Sequence, residues 1–178
     1  MKITIIGAGG IGATLGARLA LAGHTVALVA RGAQIQAVAR DGLALHDHVN
    51  GTERRLLLAA SDDPAAIARA HGVQDLVVIG LKAHAIAPML PRLAPLVADH
   101  TTVLPAINGL PWWYFHREGG ARDGQPVRTL DADGAMLRAL DPARVLGCVV
   151  HIAAEVRGAG SVHYTGGRRL IVGEPDRS

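Results

Sequence analysis

Three glycines near the start of the chain, Gly7, Gly9 and Gly12 of KITIIGAGGIGAT, fit the spacing G-x-G-x-x-G of a phosphate-binding turn. The first glycine of this pattern permits a tight turn, the second lets a diphosphate approach the backbone, and the third lets a helix pack against a strand. The positive end of that helix, roughly half an elementary charge, attracts the diphosphate. We therefore predict a nucleotide site, with a purely structural turn as the alternative. Its residues are Gly7, Ala8, Gly9, Gly10, Ile11 and Gly12.

The residue after the second apolar run predicts which nucleotide is bound. A site for NAD usually carries Asp or Glu there to hold the ribose 2′-hydroxyl, whereas this chain has VALVARG, with Arg31. One charged hydrogen bond from a guanidinium to a 2′-phosphate, about 1.5–3 kcal/mol, would favour NADPH over NADH by roughly 10- to 150-fold. We predict NADPH or NADP as the cofactor and Arg31 as its phosphate ligand, the alternative being an ordinary surface arginine.

Two polar side chains follow later apolar runs, Lys82 in LKAHA and Asn108 in AINGLPWWYF. Ligands of doubly wound sheets bind at the carboxyl ends of the strands, so Lys82 could hold a ribose or an anionic substrate. The amide of Asn108 could donate to and accept from a nicotinamide or a keto acid. A solvent-facing lysine and an ordinary Asn-Gly turn are the alternatives. His84 is read as a surface residue.

The remaining candidates are read as structural. His151 and His163 lie in strand-like runs, and no third ligand is spaced to join them, so we predict no metal site. Cys148 in VLGCVVHIAA is expected to be a buried, inert thiol. The sequence leaves open whether Trp112 and Trp113 cover a pocket or belong to the core.

The elements that must position these residues follow a strand–helix–strand pattern. KITII and TVALV are apolar runs of strand length, and Ile11, Leu15 and Leu19 form one face of the helix between them. Such a crossover is almost always right-handed and joins parallel strands. DLVVIGLK and TTVLPAING add two buried strands. We predict an α/β fold of the Rossmann type, with a doubly wound, mostly parallel sheet, as one dinucleotide-binding domain over residues 1–178.

The segments between and after these strands are less regular. Asn50-Gly51 predicts a hairpin turn between GLALHDH and one strand in TERRLLLAAS, and DDPAAIARAH predicts a helix with an Asp cap. HAIAPMLPRLAPLVAD is expected to be an irregular helix, because it contains three prolines. RVLGCVVHIAAEV, GSVHYTG and RRLIVGEP are expected to form three late strands.

Composition excludes several classes of protein. The chain has 178 residues with a net charge of +3, and its basic residues are dispersed without interleaved aromatics, so nucleic-acid binding is not expected. A single cysteine excludes an intrachain disulfide framework. No apolar run approaches the length of a bilayer span, and the N-terminus has no charged-then-apolar signal pattern, because GAGGIG interrupts it. We therefore expect a cytoplasmic protein.

The ordered set of motifs resembles the ketopantoate reductases, the 2-dehydropantoate 2-reductases. The similar stretches are KITIIGAGGIG, Arg31, LKAH, NGLPWWYF and GCVVHIAAEVRGAGSVHYTGGRRLIVGEP. The resemblance implies NADPH-dependent reduction of 2-dehydropantoate to pantoate, on the route to pantothenate. It implies that residues 7–12 bind the pyrophosphate, that Lys82 and Asn108 face nicotinamide and substrate, and that Ala154 contacts the cofactor. Adenylating enzymes related to ubiquitin activation share the GAGGIG-type turn, but their acidic residue and Asn-Arg motif are not found here.

The chain departs from this family in one respect. Family members continue into a second, helical domain, which supplies the general-acid lysine and further substrate contacts, and we expect that domain to be absent here. The chain would then be a cofactor domain that is inactive alone, and its exposed sheet edge would favour self-association, for instance as a homodimer. A nucleotide-binding module without catalysis, and a reductase of another 2-keto acid, are the alternatives.

Overall fold

The computed structural model describes residues 1–176, which form nine strands, four α-helices and three short 3₁₀ helices. The strands are β1 (Lys2–Ile6), β2 (Thr25–Val29), β3 (Leu43–Asp47), β4 (Thr52–Leu56), β5 (Ala59–Ser61), β6 (Leu76–Ile79), β7 (Thr102–Pro105), β8 (Gly147–Gly158) and β9 (Ser161–Gly173). The α-helices are α1 (Gly10–Leu21), α2 (Gly32–Asp41), α3 (Pro64–His71) and α4 (Ala135–Ala139). The 3₁₀ helices cover Ala83–Ala85, Leu90–Leu96 and Pro142–Arg144.

The first sheet has the strand order β5-β2-β1-β6-β7, and all its pairs are parallel. β1 lies at its centre because it contributes to the core on both faces: Ile3 and Ile5 pack on one side and Ile6 on the other, and each is at most 1% exposed. Ile6 pairs with Val29 on one side and with Ile79 on the other, so these strands end together at one edge. The strands that follow β1 are added first on one side of it, as β2 and β5, and then on the other side, as β6 and β7. Such a reversal of strand order opens a crevice at the carboxyl ends of β1 and β6. The Rossmann-type prediction is confirmed.

A second sheet, which the sequence did not predict, has the order β4-β3-β9-β8. β3 pairs antiparallel with β4 and parallel with β9, and β8 and β9 form a long antiparallel hairpin. Single bridges from Val103 to Val145 and from Ala106 to Cys148 connect β7 to the start of β8. β8 thereby reaches from the edge of the first sheet to the N-terminal end of α1.

Three local predictions are corrected by the structure. Residues 52–61 form two strands, because β4 stays in the hairpin while β5 joins β2 in the other sheet. Residues 83–97 contain 3₁₀ turns and no α-helix, since a proline inside a helix removes a hydrogen bond and clashes with the preceding turn. Residues 161–173 form one strand, and Gly166–Gly167 produces an irregular register without ending it.

Other local predictions are confirmed. Asp47 pairs with Thr52 across the turn at Asn50-Gly51, and Gly51 has a positive φ of 62°. The side chain of Asp63 caps α3 by accepting a hydrogen bond of 3.0 Å from the backbone of Ala65. No helix within residues 1–176 combines the length and the apolar character that crossing a membrane would require.

An ion pair with a buried carboxylate connects the second sheet to α1. Arg18 of α1 donates to Asp47 of β3 at 2.9 Å, and its guanidinium lies 4.3 Å from the centre of the Tyr164 ring. The carboxyl of Asp47 is 5% exposed and also accepts from the backbones of Val49 and Asn50. Burial would raise the pKa of Asp47, but the hydrogen bonds from Asn50 and the charge of Arg18 outweigh it and hold that pKa below its ordinary value.

Candidate cofactor site

A cleft of about 560 Å³ lies at the carboxyl ends of β1, β6 and β7 and is closed on one side by β8. Its walls combine the glycine turn, the loop after β6 and the inner side of β8. The cleft brings together most of the residues that the sequence singled out. Those that line it are Gly7, Gly9, Gly10, Ile11, Arg31, Lys82, Asn108 and Ala154.

Three glycines of the turn are required by the backbone conformation and close packing of the protein, whether or not a ligand binds. Gly7 has a φ of +100°, and a Cβ there would stand 2.7 Å from the Leu81 side chain. A Cβ on Gly12 would collide with the carbonyl oxygen of Gly7, which is why α1 can pack so close to β1. A Cβ on Gly10 would collide with the carbonyl oxygen of Ala154. The turn is therefore pressed between β1 and β8, and Gly12 supports it from outside the cleft.

Gly9 differs from the other glycines of the turn. Its φ of −76° and ψ of −173° are accessible to any residue, and a Cβ there would meet nothing within 4 Å. It occupies the N-cap position of α1, and no side chain caps this helix. The first N–H groups of a helix have no partner within it, so those of α1 are left to whatever enters the cleft.

The cleft is electropositive. Arg31, Lys82 and His84 line it and are exposed, and the lining within residues 1–176 contains no Asp or Glu. Arg31 is the N-cap residue of α2 and makes no ion pair with another described residue. This arrangement of cations beside a free helix N-terminus suits a ligand that carries several negative charges.

A smaller pocket of about 290 Å³ continues from the glycine turn, on the side of β2 and β5. Ala8 lies here, and so do Arg31, Gln34 and Asp62. No motif in the sequence indicated Gln34 or Asp62 as site residues. Asp62 follows β5, but β5 was not separated from β4 in the sequence, so nothing indicated that this carboxylate shares a pocket with Arg31.

The amide of Asn108 binds the backbone of β8. Its Nδ2 donates to the carbonyl of Val150 at 3.0 Å, and its Oδ1 accepts from the Val150 N–H at 2.8 Å. The side chain thus imitates a neighbouring strand and extends the contact between β7 and β8 into the cleft wall. One N–H of the amide and one lone pair of its oxygen remain for a ligand.

The other candidate residues lie away from the cleft or on its rim. Trp112 and Trp113 are 1% and 7% exposed and pack edge to face in the core. Cys148 is buried, and burial raises the pKa of its thiol. His151 pairs with Arg169 in the strand ladder, whereas His163 lies opposite Glu155, so the two histidines do not meet.

His163 belongs instead to a surface cluster with His46 and His48 on the second sheet. Its ring stacks on that of His46 at 4.2 Å between centroids, and its Nδ1 lies 2.8 Å from Nε2 of His48. Partial burial, together with the charges of His46 and Arg157, lowers the pKa of His163. No group of three His, Cys, Asp or Glu in residues 1–176 has a geometry that could hold a metal ion.

The sheet, the crevice at the strand reversal and the glycine turn define a Rossmann-like α/β domain of the kind found in oxidoreductases. The chain belongs to the ketopantoate reductase PanE/ApbA family, whose sequence profile matches residues 3–113. The resemblance seen in the motifs is thereby confirmed.

Two similar proteins show how far the likeness extends. A 2-dehydropantoate 2-reductase of Mesorhizobium japonicum is 45% identical over 176 residues, which is 98% of this chain and 52% of the relative. The crystal structure of a protein from Ralstonia solanacearum that is described as a putative ketopantoate reductase superposes with a TM-score of 0.88 at 42% identity, over 97% of this chain and 52% of that one. The chain spans about half the length of the relatives that it matches.

A structure of D-mandelate dehydrogenase with NADH and anilino(oxo)acetate has the same fold, with a TM-score of 0.77 at 21% identity, over 98% of this chain and 48% of that one. The fold of this chain is therefore shared with a dehydrogenase that binds a nicotinamide cofactor.

Proposed function

We propose that this chain, as one domain, binds NADPH in the cleft and serves the reduction of 2-dehydropantoate to pantoate. The observation that carries the proposal is Gly9. Its backbone conformation and the open space around it give no reason internal to the protein for a glycine. A diphosphate that approaches the backbone at this point supplies that reason, because a side chain would stand in its way.

The residues of the cleft fit such a cofactor. Backbone N–H groups at the start of α1 would hold the diphosphate, and Arg31 at the end of β2 would hold the 2′-phosphate. Lys82 and Asn108 would lie beside the ribose, the nicotinamide or the substrate, on the β6 and β7 side. The β8 backbone at Ala154 would close the cleft against the cofactor.

The reaction adds a hydride to the carbonyl carbon and a proton to the carbonyl oxygen. Bound NADPH supplies the hydride. The exposed ammonium group of Lys82 would attract the carboxylate of the keto acid, and Asn108 would orient the carbonyl group. The resemblance places the proton-donating lysine in the part of the family sequences that has no counterpart in these 178 residues, so we propose that this chain alone turns over slowly.

The cofactor preference tests this proposal directly. Arg31→Ala is expected to remove a tenfold or larger preference for NADPH over NADH and to leave NADH affinity unchanged, because only NADPH carries the 2′-phosphate. Calorimetric titration of both nucleotides measures the ratio, and Arg40→Ala removes the same charge from the far end of α2 as a control. Equal binding of NADPH and NADH by the unaltered protein, or binding of neither, would contradict the proposal.

Asp62 should lower the preference for NADPH over NADH, whereas Arg31 should raise it. Asp62 lines the pocket of Arg31, where its carboxylate would repel the 2′-phosphate. Asp62→Asn is therefore expected to raise the NADPH preference by about two- to fivefold, equivalent to about 0.4–1 kcal/mol. Asp123→Asn, an exposed carboxylate in a loop outside this pocket, is the matched control. A NADPH-to-NADH affinity ratio that stays constant in Asp62→Asn would show that this carboxylate points away from the cofactor.

Reduction of another 2-keto acid is the second candidate function. The cleft wall on the β7 and β8 side is formed by Ile107, Val150 and Ile152, apolar side chains that would accept any small branched keto acid.

We also propose that the protein is cytoplasmic and that it self-associates. In support, Val149 and Ile171 form a cross-strand pair on the hairpin of β8 and β9, and each is 46% exposed.

A further inference from the structure

One side chain connects the glycine turn to the hairpin of β8 and β9. Gln34 of α2 donates from Nε2 to the carbonyl oxygen of Ala8 at 3.0 Å. Its Oε1 accepts from the N–H of Gly160, in the turn between β8 and β9, at 2.9 Å. A single amide thus joins two turns that are more than 150 residues apart in the sequence.

The hydrogen bond to the carbonyl of Ala8 also determines the direction of the Gly9 N–H. The carbonyl of Ala8 and the N–H of Gly9 belong to one planar trans peptide and point in opposite directions. Because Gln34 holds the carbonyl on the side of α2, the N–H of Gly9 is turned toward the opposite side. This N–H belongs to the residue at which the turn is open to a ligand.

This peptide needs such a restraint. Ala8 lies between Gly7, at a φ of +100°, and Gly9, the N-cap of α1, where a Cβ would meet nothing within 4 Å. Glycines on both sides make rotation of the peptide plane inexpensive. Among residues 1–176, the side chain of Gln34 is the hydrogen-bond donor recorded for the Ala8 carbonyl.

We propose that Gln34 is a positioning residue for the dinucleotide: it orients the peptide between Ala8 and Gly9 and makes that orientation depend on the turn between β8 and β9. The inference rests on the proposed nucleotide binding. Because Gln34 acts on the diphosphate, which NADPH and NADH share, it should affect both cofactors equally. Arg31, by contrast, acts on the 2′-phosphate alone.

Gln34→Glu tests this role with a signature in pH. Above neutral pH the carboxylate can still accept from Gly160, but it cannot donate to Ala8, and its lone pairs face those of the carbonyl. Both cofactors should then bind about tenfold more weakly, and NADPH should lose about two- to fivefold more than NADH, because the new carboxylate shares the pocket of Arg31. Protonation restores a donor, so the deficit should shrink as the pH is lowered from 8 to 5. NADP⁺ is the probe for the pH series, with each affinity taken relative to the unaltered protein at the same pH.

Gln36→Glu is the matched control, because it adds the same charge to the same helix at an exposed position. The inference is overturned if Gln34→Glu and Gln36→Glu bind NADP⁺ alike at every pH. A loss of affinity that does not recover in acid, accompanied by a lower melting temperature, would equally overturn it, because it would show a purely structural role. If the unaltered protein binds neither nucleotide, the proposed function fails as well. If it binds and Gln34→Glu is unaffected, only the role of Gln34 fails.

Discussion

Gly9→Asp is expected to leave the protein folded and to weaken its binding of NADPH severely. The N-cap position has the backbone conformation that aspartate favours there, and a Cβ would meet no atom within 4 Å. The new carboxylate would accept from the free N–H groups of α1 and would hold or slightly raise stability, by a few tenths of a kcal/mol. The same carboxylate would take the donors of the diphosphate and repel its charge. We expect affinity to fall by about 100-fold or more, which corresponds to about 2.7 kcal/mol.

Two measurements on the same sample separate these effects. Thermal unfolding followed by circular dichroism reports stability, and calorimetric titration reports NADPH affinity. Gly9→Asn is the control for charge, because it fills similar space and also caps the helix without an added negative charge. It should bind more weakly than the unaltered protein and more tightly than Gly9→Asp. NADPH binding that survives in Gly9→Asp would mean that the cofactor does not approach this turn.

Asp47→Ala is expected to lower the free energy of unfolding more than any other substitution proposed for this protein. The change leaves Arg18 without its partner and leaves the N–H groups of Val49 and Asn50 without an acceptor. Arg18 is 39% exposed and can be partly rehydrated, so we expect a loss of about 2–4 kcal/mol. For a chain of this size that corresponds to a fall in melting temperature of roughly 5–15 °C. Thermal unfolding at neutral pH measures it.

The pH dependence of this loss provides an independent check. The pKa of Asp47 in the folded protein lies below its ordinary value of 3.8, so the carboxylate contributes its full stabilisation above that value. The contribution disappears as the pH falls through the lowered pKa, and the difference between the two proteins should narrow only in that acidic range. Asp41→Ala, which removes an exposed carboxylate paired with Arg40, should change stability little. A deficit in Asp47→Ala no larger than that of Asp41→Ala would be inconsistent with a buried anchor.

Sequence alone determined those features whose physical cause is local. The spacing of Gly7, Gly9 and Gly12 follows from the backbone of one tight turn, and the apolar runs on either side fix a strand, a helix and a strand within about thirty residues. The position of Arg31 follows from the same unit, because it is the second residue after β2, a strand whose partner is already determined. The caps of α3 and the turn at Asn50-Gly51 are likewise properties of a few neighbouring residues.

The tertiary structure decided those features that depend on residues far apart in the sequence. β3 and β9 pair only when the chain is folded, so the second sheet has no local signature. Asp62 enters the pocket of Arg31 because β5 leaves the hairpin to join β2, and Asn108 binds β8 because single bridges align β7 with it. The same holds for Gln34, whose two partners meet it through the packing of α2 against the turn between β8 and β9. Short-range preferences specify turns and helices, whereas strand partners and side-chain bridges are selected by burial in the whole molecule.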